Sequence, residues 1–440
     1  MRSIDREILR LSVPAVVSNL AVPLLGLSDT FVSGHLGSSQ YIAGIAMGSL
    51  MMSMAFWLFG FLRMGTTGLT AQAYGAGDSL RARVVLSRAF LAAMAIGLLI
   101  IGVQTPLADM LVGVIGAERE VAEVARGYFR ICVWGAPALL ATMSLTGWLL
   151  GMQTTLWPMI VTITMNSANI ALSLLLVFGY GLGYKGVAYG TLCANWLGLL
   201  LAIAAARIYF KHNPFADPFS TDKALSFRRF LTVNTDIFLR SACMMTVTAG
   251  VMAAGARIGS DTLAANAVLM QFFTLFSYFM DGFAFTGEAL CGRFEGAGRR
   301  RMLSRCVVRL FLWAGGVAVA FTLLYLLFGD VIAGVITDVE SVRTLCSDFM
   351  IWVALVPLVA TCAFIFDGVF IGMTATRCML ASTAFAAVAF FAILALPFPS
   401  GAFYANARLW TAFLTYLAVR GIILGCLWPR VLRPHSKLPL

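Results

Sequence analysis

"GWLLGMQTT" (residues 147–155) has a second version, "GVFIGMTAT" (368–376), in the other half of the chain. Another pair of blocks, "AYGAG" (73–77) and "FEGAG" (294–298), is separated by nearly the same distance along the sequence. Matches that keep one offset across separated blocks indicate an internal repeat. We therefore expect the two halves of the chain to fold alike.

The composition indicates that lipid is the solvent of this chain. Of its 440 residues, 60% are hydrophobic and 12% are charged, whereas soluble domains carry about 25% charged residues. One globular core cannot bury that much apolar surface, so we predict an integral membrane protein. The first apolar run, Leu9 to Gly34, is too long for the core of a signal peptide, and we expect it to be kept as the first span.

A hydropathy window of about 19 residues predicts twelve membrane-spanning helices, numbered here as spans one to twelve. Their predicted limits are 9–34, 41–65, 84–105, 125–151, 158–179, 186–207, 230–257, 263–289, 303–328, 344–372, 377–397 and 403–428. The fold class is therefore all-α and integral to the membrane.

The charges predict the orientation of these spans. Lysine and arginine concentrate in alternate loops, as at 299–301, while the intervening loops carry acids, as at 118–123. Because positive loops stay in the cytoplasm, both termini are expected to be cytoplasmic. The net charge of +11 is thus a topology signal and not a nucleic-acid-binding surface. The nine cysteines show no metal-ligand spacing, and we expect no metal site.

The longest connection, 211–229, divides the chain near its middle and contains Asn213-Pro214. We predict two pseudo-symmetric six-helix lobes, an N-lobe of residues 1–214 and a C-lobe of residues 215–440. The basic loops fall at matching places in both lobes, so the repeats run parallel. Two similar bundles of this kind are a plan used by secondary transporters.

Two stretches carry a resemblance to a known family. "FLRMGTTGLTAQAYGAGD" (61–78) and "LAANAVLMQFFTLFSYFMDGFAFTGEALCGRFEGAG" (263–298) resemble the MATE (multidrug and toxic compound extrusion) transporters, in their DNA-damage-inducible (DinF) branch. The resemblance implies a two-lobed, monomeric antiporter of the bacterial inner membrane that needs no cofactor. Such proteins expel small organic cations or amphipathic drugs in exchange for H⁺ or Na⁺.

The resemblance also implies a cation or proton site in the first lobe. Its members fall on Asp29 in span one, Asn169 in span five and Thr191 in span six. The family's second acid on span five is replaced here by Ser173. This departure favours H⁺ over Na⁺ as the coupling ion.

The spacing and polarity of residues along spans one, five and six indicate the same candidate residues. Asp29 interrupts the apolar stretch "VPLLGLSDTFVSGHLG" (22–37), although a charge at membrane depth costs about 2.5–3.5 kcal/mol on insertion scales. Asn166, Asn169 and Ser173 are spaced by three and four, which draws a polar stripe along span five. Thr191 and Asn195 likewise share a face of span six. The stripe lines a cavity or supplies hydrogen bonds between helices, and Asp29 either titrates or is a structural acid.

Span one also contains two prolines, Pro14 and Pro23. Each removes a backbone hydrogen bond from the helix. The prolines therefore form either a hinge that bends when Asp29 changes its protonation or a static kink.

Other charges lie within the predicted spans. Asp236 and Arg240 are four residues apart on span seven, so a local ion pair is the simplest expectation. Asp281 and Glu288 share a face of span eight. We expect one of them to pair with Arg63 of span two, either structurally or as an inner gate. Asp367 of span ten has no cation near it on that span, which favours cation attraction or a second proton site.

Three functions compete at this point. The first is coupled drug export, in which one buried carboxylate binds either the driving ion or the exported compound. A flippase for lipid-linked or polysaccharide precursors has the same two-lobed plan, but its cavity is expected to be lined with more arginine and lysine. An enzyme is disfavoured, because His35, His212 and His435 fall in loops or the tail and no catalytic spacing occurs within the spans.

Overall fold

The computed structural model describes residues 2–34, 39–116, 118–211, 213–219, 227–397 and 401–432, and all regular structure within them is helical. The helices of the first half are α1 (Arg2–Gly34), α2 (Ser39–Trp57), α3 (Phe61–Gly75), α4 (Ser79–Gly102), α5 (Gln104–Ile115), α6 (Arg119–Cys132), α7 (Ala136–Gly151), α8 (Leu156–Leu174) and α9 (Tyr184–Phe210). Those of the second half are α10 (Phe227–Ile258), α11 (Ser260–Gly296), α12 (Arg300–Ile336), α13 (Glu340–Gly372), α14 (Thr376–Ala395) and α15 (Ala402–Leu432).

Twelve helical segments of the described chain are long and apolar enough to cross a membrane, which confirms the predicted fold class. Two of these segments are broken by a tight turn. A 3₁₀ turn at Leu58–Gly60 joins α2 to α3, and another at Val133–Gly135 joins α6 to α7. The short apolar helix α5 was not predicted, since its twelve residues fall below the length of a span.

Contacts within the chain define two compact units. The N-unit is Val13–Phe230, and the C-unit is Met1–Ser12 together with Leu231–Leu440. The first turns of α1 group with the C-unit, where Glu7 pairs with Arg293 of α11. The division into lobes at 214/215 stays a prediction.

The segment 213–219 groups with the N-unit because α4 holds it. Arg83 Nη2 donates to the carbonyl of Phe215 at 2.7 Å, and Arg88 Nε donates to the carbonyl of Pro218 at 2.8 Å. The backbone N–H of Ala216 donates to Ser87 Oγ at 2.9 Å. This segment is therefore fixed along the start of α4.

The internal repeat is visible in how each unit packs its small residues. A Cβ on Gly147 would overlap the carbonyl oxygen of Arg63 in α3, and a Cβ on Gly368 would overlap that of Ala284 in α11. These glycines belong to the two blocks that match in sequence. Glycine lets two helix backbones approach closely, as small residues do in membrane proteins. Each unit thus uses its copy of the block to close the same kind of helix pair.

The glycine one turn later repeats this pattern. A Cβ on Gly151 would lie 2.8 Å from the carbonyl oxygen of Thr67, and one on Gly372 would lie 2.6 Å from that of Glu288. The backbone also matches, since Gln153 and Thr374 both adopt positive φ, 69° and 53°. Positive φ is uncommon for residues other than glycine, so its recurrence supports the predicted repeat independently of the sequence match.

Candidate functional site

A buried group of polar side chains joins α8 to α9 in the N-unit. Asn169 Nδ2 donates to the Thr191 hydroxyl oxygen at 3.3 Å, and Ser173 Oγ donates to Asn169 Oδ1 at 3.2 Å. Asn169 is 5% exposed and Ser173 is 1% exposed. The structure therefore brings together three residues that the sequence places on two different spans.

Two further residues extend this group. The Tyr128 hydroxyl in α6 lies 3.5 Å from Thr191 Oγ1, and Ser49 Oγ in α2 donates to the Tyr128 oxygen at 3.5 Å. Neither residue could be predicted from the sequence, because a lone tyrosine or serine in an apolar helix has no periodic signal. We call these five residues, Ser49, Tyr128, Asn169, Ser173 and Thr191, the amide–hydroxyl network.

The hydrogen bonds of Thr191 and Asn169 have defined donors and acceptors. Thr191 Oγ1 donates to the carbonyl of Val187 at 3.1 Å, so its lone pairs accept from Asn169 and face Tyr128. Asn169 Oδ1 in turn accepts from Ser173. The network thus offers both amide N–H donors and hydroxyl oxygen acceptors around the buried Asn169 and Ser173, where each polar contact is worth more than it is in solution.

Local backbone features position the network. A Cβ on Gly190 of α9 would lie 2.9 Å from the backbone nitrogen of Ser173, so glycine there allows α9 to approach α8. Two residues after Ser173, the chain begins a π-helical turn at Leu175–Gly179. Turns of this type are rare and occur frequently at functional sites.

Helix α1 packs beside these helices. Asn166 Nδ2 of α8 donates to the carbonyl of Ala21 at 3.3 Å. Val32, 1% exposed, packs in a cluster that includes Tyr128 and Val187. Asp29 lies within α1, but its side chain is outside the part of the chain that the structure describes.

The two prolines of span one and Asn195 of span six also belong to the N-unit. Pro14 and Pro23 lie inside α1, which continues through both, and their role as a hinge stays a prediction. Asn195 is buried and packs against the 3₁₀ turn, since a Cβ on Gly135 would lie 2.9 Å from its Nδ2.

Arg63 belongs to the N-unit, whereas Asp281 and Glu288 belong to the C-unit. Glu288 is 1% exposed, and Asp281 is half-buried. The predicted pairing of Arg63 with one of these acids joins residues of different units, and it stays a prediction.

In the C-unit the structure gives Asp367 two cationic partners. Arg240 of α10 and Arg420 of α15 both donate to Asp367 Oδ2. The predicted Asp236–Arg240 pair is wrong, because Asp236 Oδ2 accepts from the Thr376 hydroxyl at 2.7 Å instead. Arg240 reaches a carboxylate on another helix, and spacing along one helix cannot reveal such a partner.

Comparisons with known proteins agree with this architecture. The MatE family model matches residues 14–175 and 237–396, one segment in each half. The chain is 37% identical over 432 residues to the DNA damage-inducible protein F of Escherichia coli (strain K12), covering 98% of this chain and 93% of the relative. It is 25% identical over 459 residues to the probable multidrug resistance protein NorM of Rhizobium meliloti (strain 1021), covering 99% and 95%.

Solved structures show the same fold. The Vibrio cholerae MATE transporter VcmN in its bent form superposes with a TM-score of 0.85 at 17% identity, covering 98% of each chain. A MOP superfamily transporter from Pyrococcus furiosus, described as having a binding pocket of reversed polarity, gives a TM-score of 0.79 at 20% identity, covering 97% of this chain and 95% of that one. The family model spans both repeats and one relative is well above 30% identity over almost the whole chain, so the protein belongs to the MatE family.

Proposed function

We propose that this chain is a multidrug-type antiporter of the bacterial inner membrane. It exports small organic cations or amphipathic drugs in exchange for H⁺, works as a monomer and keeps both termini in the cytoplasm. Membership of the MatE family supports the transporter class, since its relatives include proteins named for multidrug resistance. The observation that carries the proposal is the buried amide–hydroxyl network between α8 and α9.

Asp29 is the proposed carrier of the proton. It precedes Val32 by three residues, and residues three apart share one face of a helix. Val32 packs in the cluster with Tyr128, so this part of α1 runs beside the network, and we propose that Asp29 acts there. There the neutral carboxyl can donate to a hydroxyl oxygen, and the carboxylate can accept from an amide N–H.

The network is proposed to hold either protonation state of Asp29 without a fixed counter-charge. A carboxylate that exchanges a proton for a cationic substrate makes the two ligands mutually exclusive. Because linkage is reciprocal, proton entry then favours substrate release, and substrate binding favours proton loss. Net export of substrate follows when the proton-bound state and the substrate-bound state are open to opposite sides of the membrane.

The side chain at position 173 supports H⁺ over Na⁺. The Ser173 hydroxyl donates a hydrogen bond to Asn169 Oδ1, so it takes part in the network as a neutral group. A metal cation prefers several oxygen ligands, with carboxylates among them. With serine in place of the family's second acid, Asp29 is the one carboxylate proposed for this site, which suits a proton better than a bare cation.

The test imposes the pH and Na⁺ gradients separately on proteoliposomes that contain the purified chain. We expect an imposed H⁺ gradient to drive ethidium in the direction opposite to H⁺ flow, at a rate that an imposed Na⁺ gradient does not change. Movement that follows the Na⁺ gradient and ignores pH would overturn H⁺ coupling. Absence of ethidium movement under both gradients would overturn the proposed cargo.

One observation favours a second candidate, a flippase for anionic lipid-linked precursors. Arg240 and Arg420 are both buried in the C-unit, and Asp367 balances only one of their charges. Fluorescent lipid-linked substrate in the same proteoliposomes distinguishes the candidates, because a flippase moves it between leaflets without an ion gradient. We rank this candidate second, since the N-unit network is neutral.

A further inference from the structure

Arg240, Asp367 and Arg420 form a buried charge cluster at the meeting of α10, α13 and α15. Each arginine side chain is 4% exposed, and the Asp367 side chain is 10% exposed. Both guanidinium groups donate to the same oxygen, Asp367 Oδ2. Two positive charges therefore meet one negative charge, which leaves the cluster with an excess positive charge.

The cluster also has unused hydrogen-bonding capacity. Arg240 Nε and Arg420 Nε are buried and have no partner among the described residues, and neither has Asp367 Oδ1. Buried donors of a charged group are costly to leave unpaired. Two unpaired Nε–H groups, one on each arginine, beside an excess positive charge suit an oxyanion, whose oxygens can accept one charge-assisted hydrogen bond from each guanidinium.

The repeat indicates that the fold does not need this cluster. Asp367 directly precedes Gly368, and Thr146 directly precedes Gly147 at the matching place in the N-unit. Thr146 Oγ1 donates to the carbonyl of Thr142 in its own helix at 2.8 Å. One unit therefore closes the same glycine-mediated helix contact with a neutral residue, so the buried charges of the other unit have a different purpose.

Aromatic rings continue from the cluster along α15. The Arg420 guanidinium lies 5.3 Å from the ring centre of Tyr416. The Tyr416 ring is 6.4 Å from that of Phe413, which in turn lies 5.2 Å from Phe273. This row of buried and half-buried rings begins at the excess positive charge.

We propose that the C-unit binds the oxyanion of an aromatic amphipathic compound between Arg240 and Arg420. The Nε–H groups donate to the carboxylate or sulfonate, and the Phe273–Phe413–Tyr416 row packs against the aromatic body. Asp367 holds the two guanidinium groups in place and offsets one of their charges, so that the ligand can leave. As a substrate subsite this rests on the proposed export function, which it extends to anionic and zwitterionic compounds.

The experiment measures equilibrium binding to the full chain in nanodiscs without any ion gradient. The probes are nalidixic acid, an aromatic monocarboxylate, and its ethyl ester, which lacks the negative charge. We expect the wild-type chain to bind the acid about tenfold more tightly than the ester. Equal binding of acid and ester by the wild-type chain would overturn the proposal, and this comparison needs no variant.

The variants Arg240→Gln and Arg420→Gln test whether the preference for the acid over the ester comes from the charge cluster. Each leaves Asp367 with one arginine, so the excess positive charge disappears, and the preference for the acid is expected to fall to about onefold to threefold. The matched control is Arg408→Gln in α15, the helix of Arg420, because Arg408 Nη1 donates to the carbonyl of Leu396 at 2.8 Å and lies outside the cluster. Equal loss in all three variants, or a preference that survives in both cluster variants, would contradict the site.

The proposed export function and the proposed anion site are tested by separate measurements. Binding is measured without a gradient, whereas H⁺ coupling is measured as ethidium movement. A chain that prefers the acid but moves no ethidium retains the anion site and loses the proposed export activity. A chain that moves ethidium with H⁺ but binds acid and ester equally retains export and loses the anion site.

Discussion

Asn169 Nδ2 donates to the hydroxyl oxygen of Thr191 at 3.3 Å, which joins α8 to α9 through buried polar atoms. The Thr191 hydroxyl donates its own hydrogen bond to the carbonyl of Val187. Its oxygen is therefore available as an acceptor to groups that enter from neighbouring helices. This relationship makes Thr191 the residue on which the N-unit network converges.

Thr191→Val is expected to reduce H⁺-driven ethidium transport about tenfold. The substitution keeps the shape of the side chain but removes the acceptor for Asn169, and the lost hydrogen bonds cost about 1 kcal/mol each. The control is Thr246→Val, because exposed Thr246 donates only to the carbonyl of Ala242 in its own helix, at 2.9 Å. Equal transport by the two variants in proteoliposomes would argue against a functional network.

Tyr128→Phe is expected to lower the transport rate less than Thr191→Val does. The Tyr128 hydroxyl contacts Thr191 and Ser49 at 3.5 Å each, which is long for hydrogen bonds between hydroxyl groups. The ring stays buried in the variant, so its thermal stability should change little. Tyr74→Phe, at a tyrosine that is 41% exposed, is the control. A Tyr128→Phe defect as large as that of Thr191→Val would contradict this ranking.

Gly368→Ala is expected to destabilise the protein by about 1–3 kcal/mol, the usual cost of overpacking. The new methyl group would overlap the carbonyl oxygen of Ala284 in α11. Gly316→Ala in α12 is the matched control, since its Cβ would meet no atom within 4 Å. Thermal unfolding in detergent measures both. If the two variants melt at the same temperature, the close helix contact of the repeat is not required.

Asp367→Asn is expected to destabilise the C-unit more than Arg240→Gln does. Loss of the acid leaves two buried guanidinium groups without a counter-charge, and breaking a buried ion pair costs about 3–5 kcal/mol. Loss of one arginine leaves a balanced pair of Arg420 and Asp367. Exposed Asp348→Asn in the same helix is the control. The reverse order of melting temperatures would show that the excess positive charge itself is destabilising.

The helical architecture and the repeat could be predicted from the sequence, because both depend on patterns along the chain. Long apolar runs must be helical in lipid, where backbone groups have to bond within their own segment. The glycines of 147–151 and 368–372 recur because each permits one close backbone contact. Helix α5 was missed, since a short apolar helix has the same composition as an apolar loop.

The polar sites were predictable only in part. Asn169, Ser173 and Thr191 lie on periodic stripes, so their shared faces could be predicted from spacing along single helices. Tyr128 joins them from α6, and Arg420 joins Asp367 from α15. Such partners are determined by the packing of helices that are distant in sequence, which one sequence without structural information does not reveal.

Asp29 is proposed to carry the proton that drives export. The most direct measurement compares Asp29→Asn with Asp348→Asn in proteoliposomes under an imposed pH gradient, recording ethidium movement and proton flux together. We expect Asp29→Asn to insert and melt like the wild-type chain but to lose both signals, while Asp348→Asn keeps them. Wild-type ethidium movement and proton flux in Asp29→Asn would contradict the account.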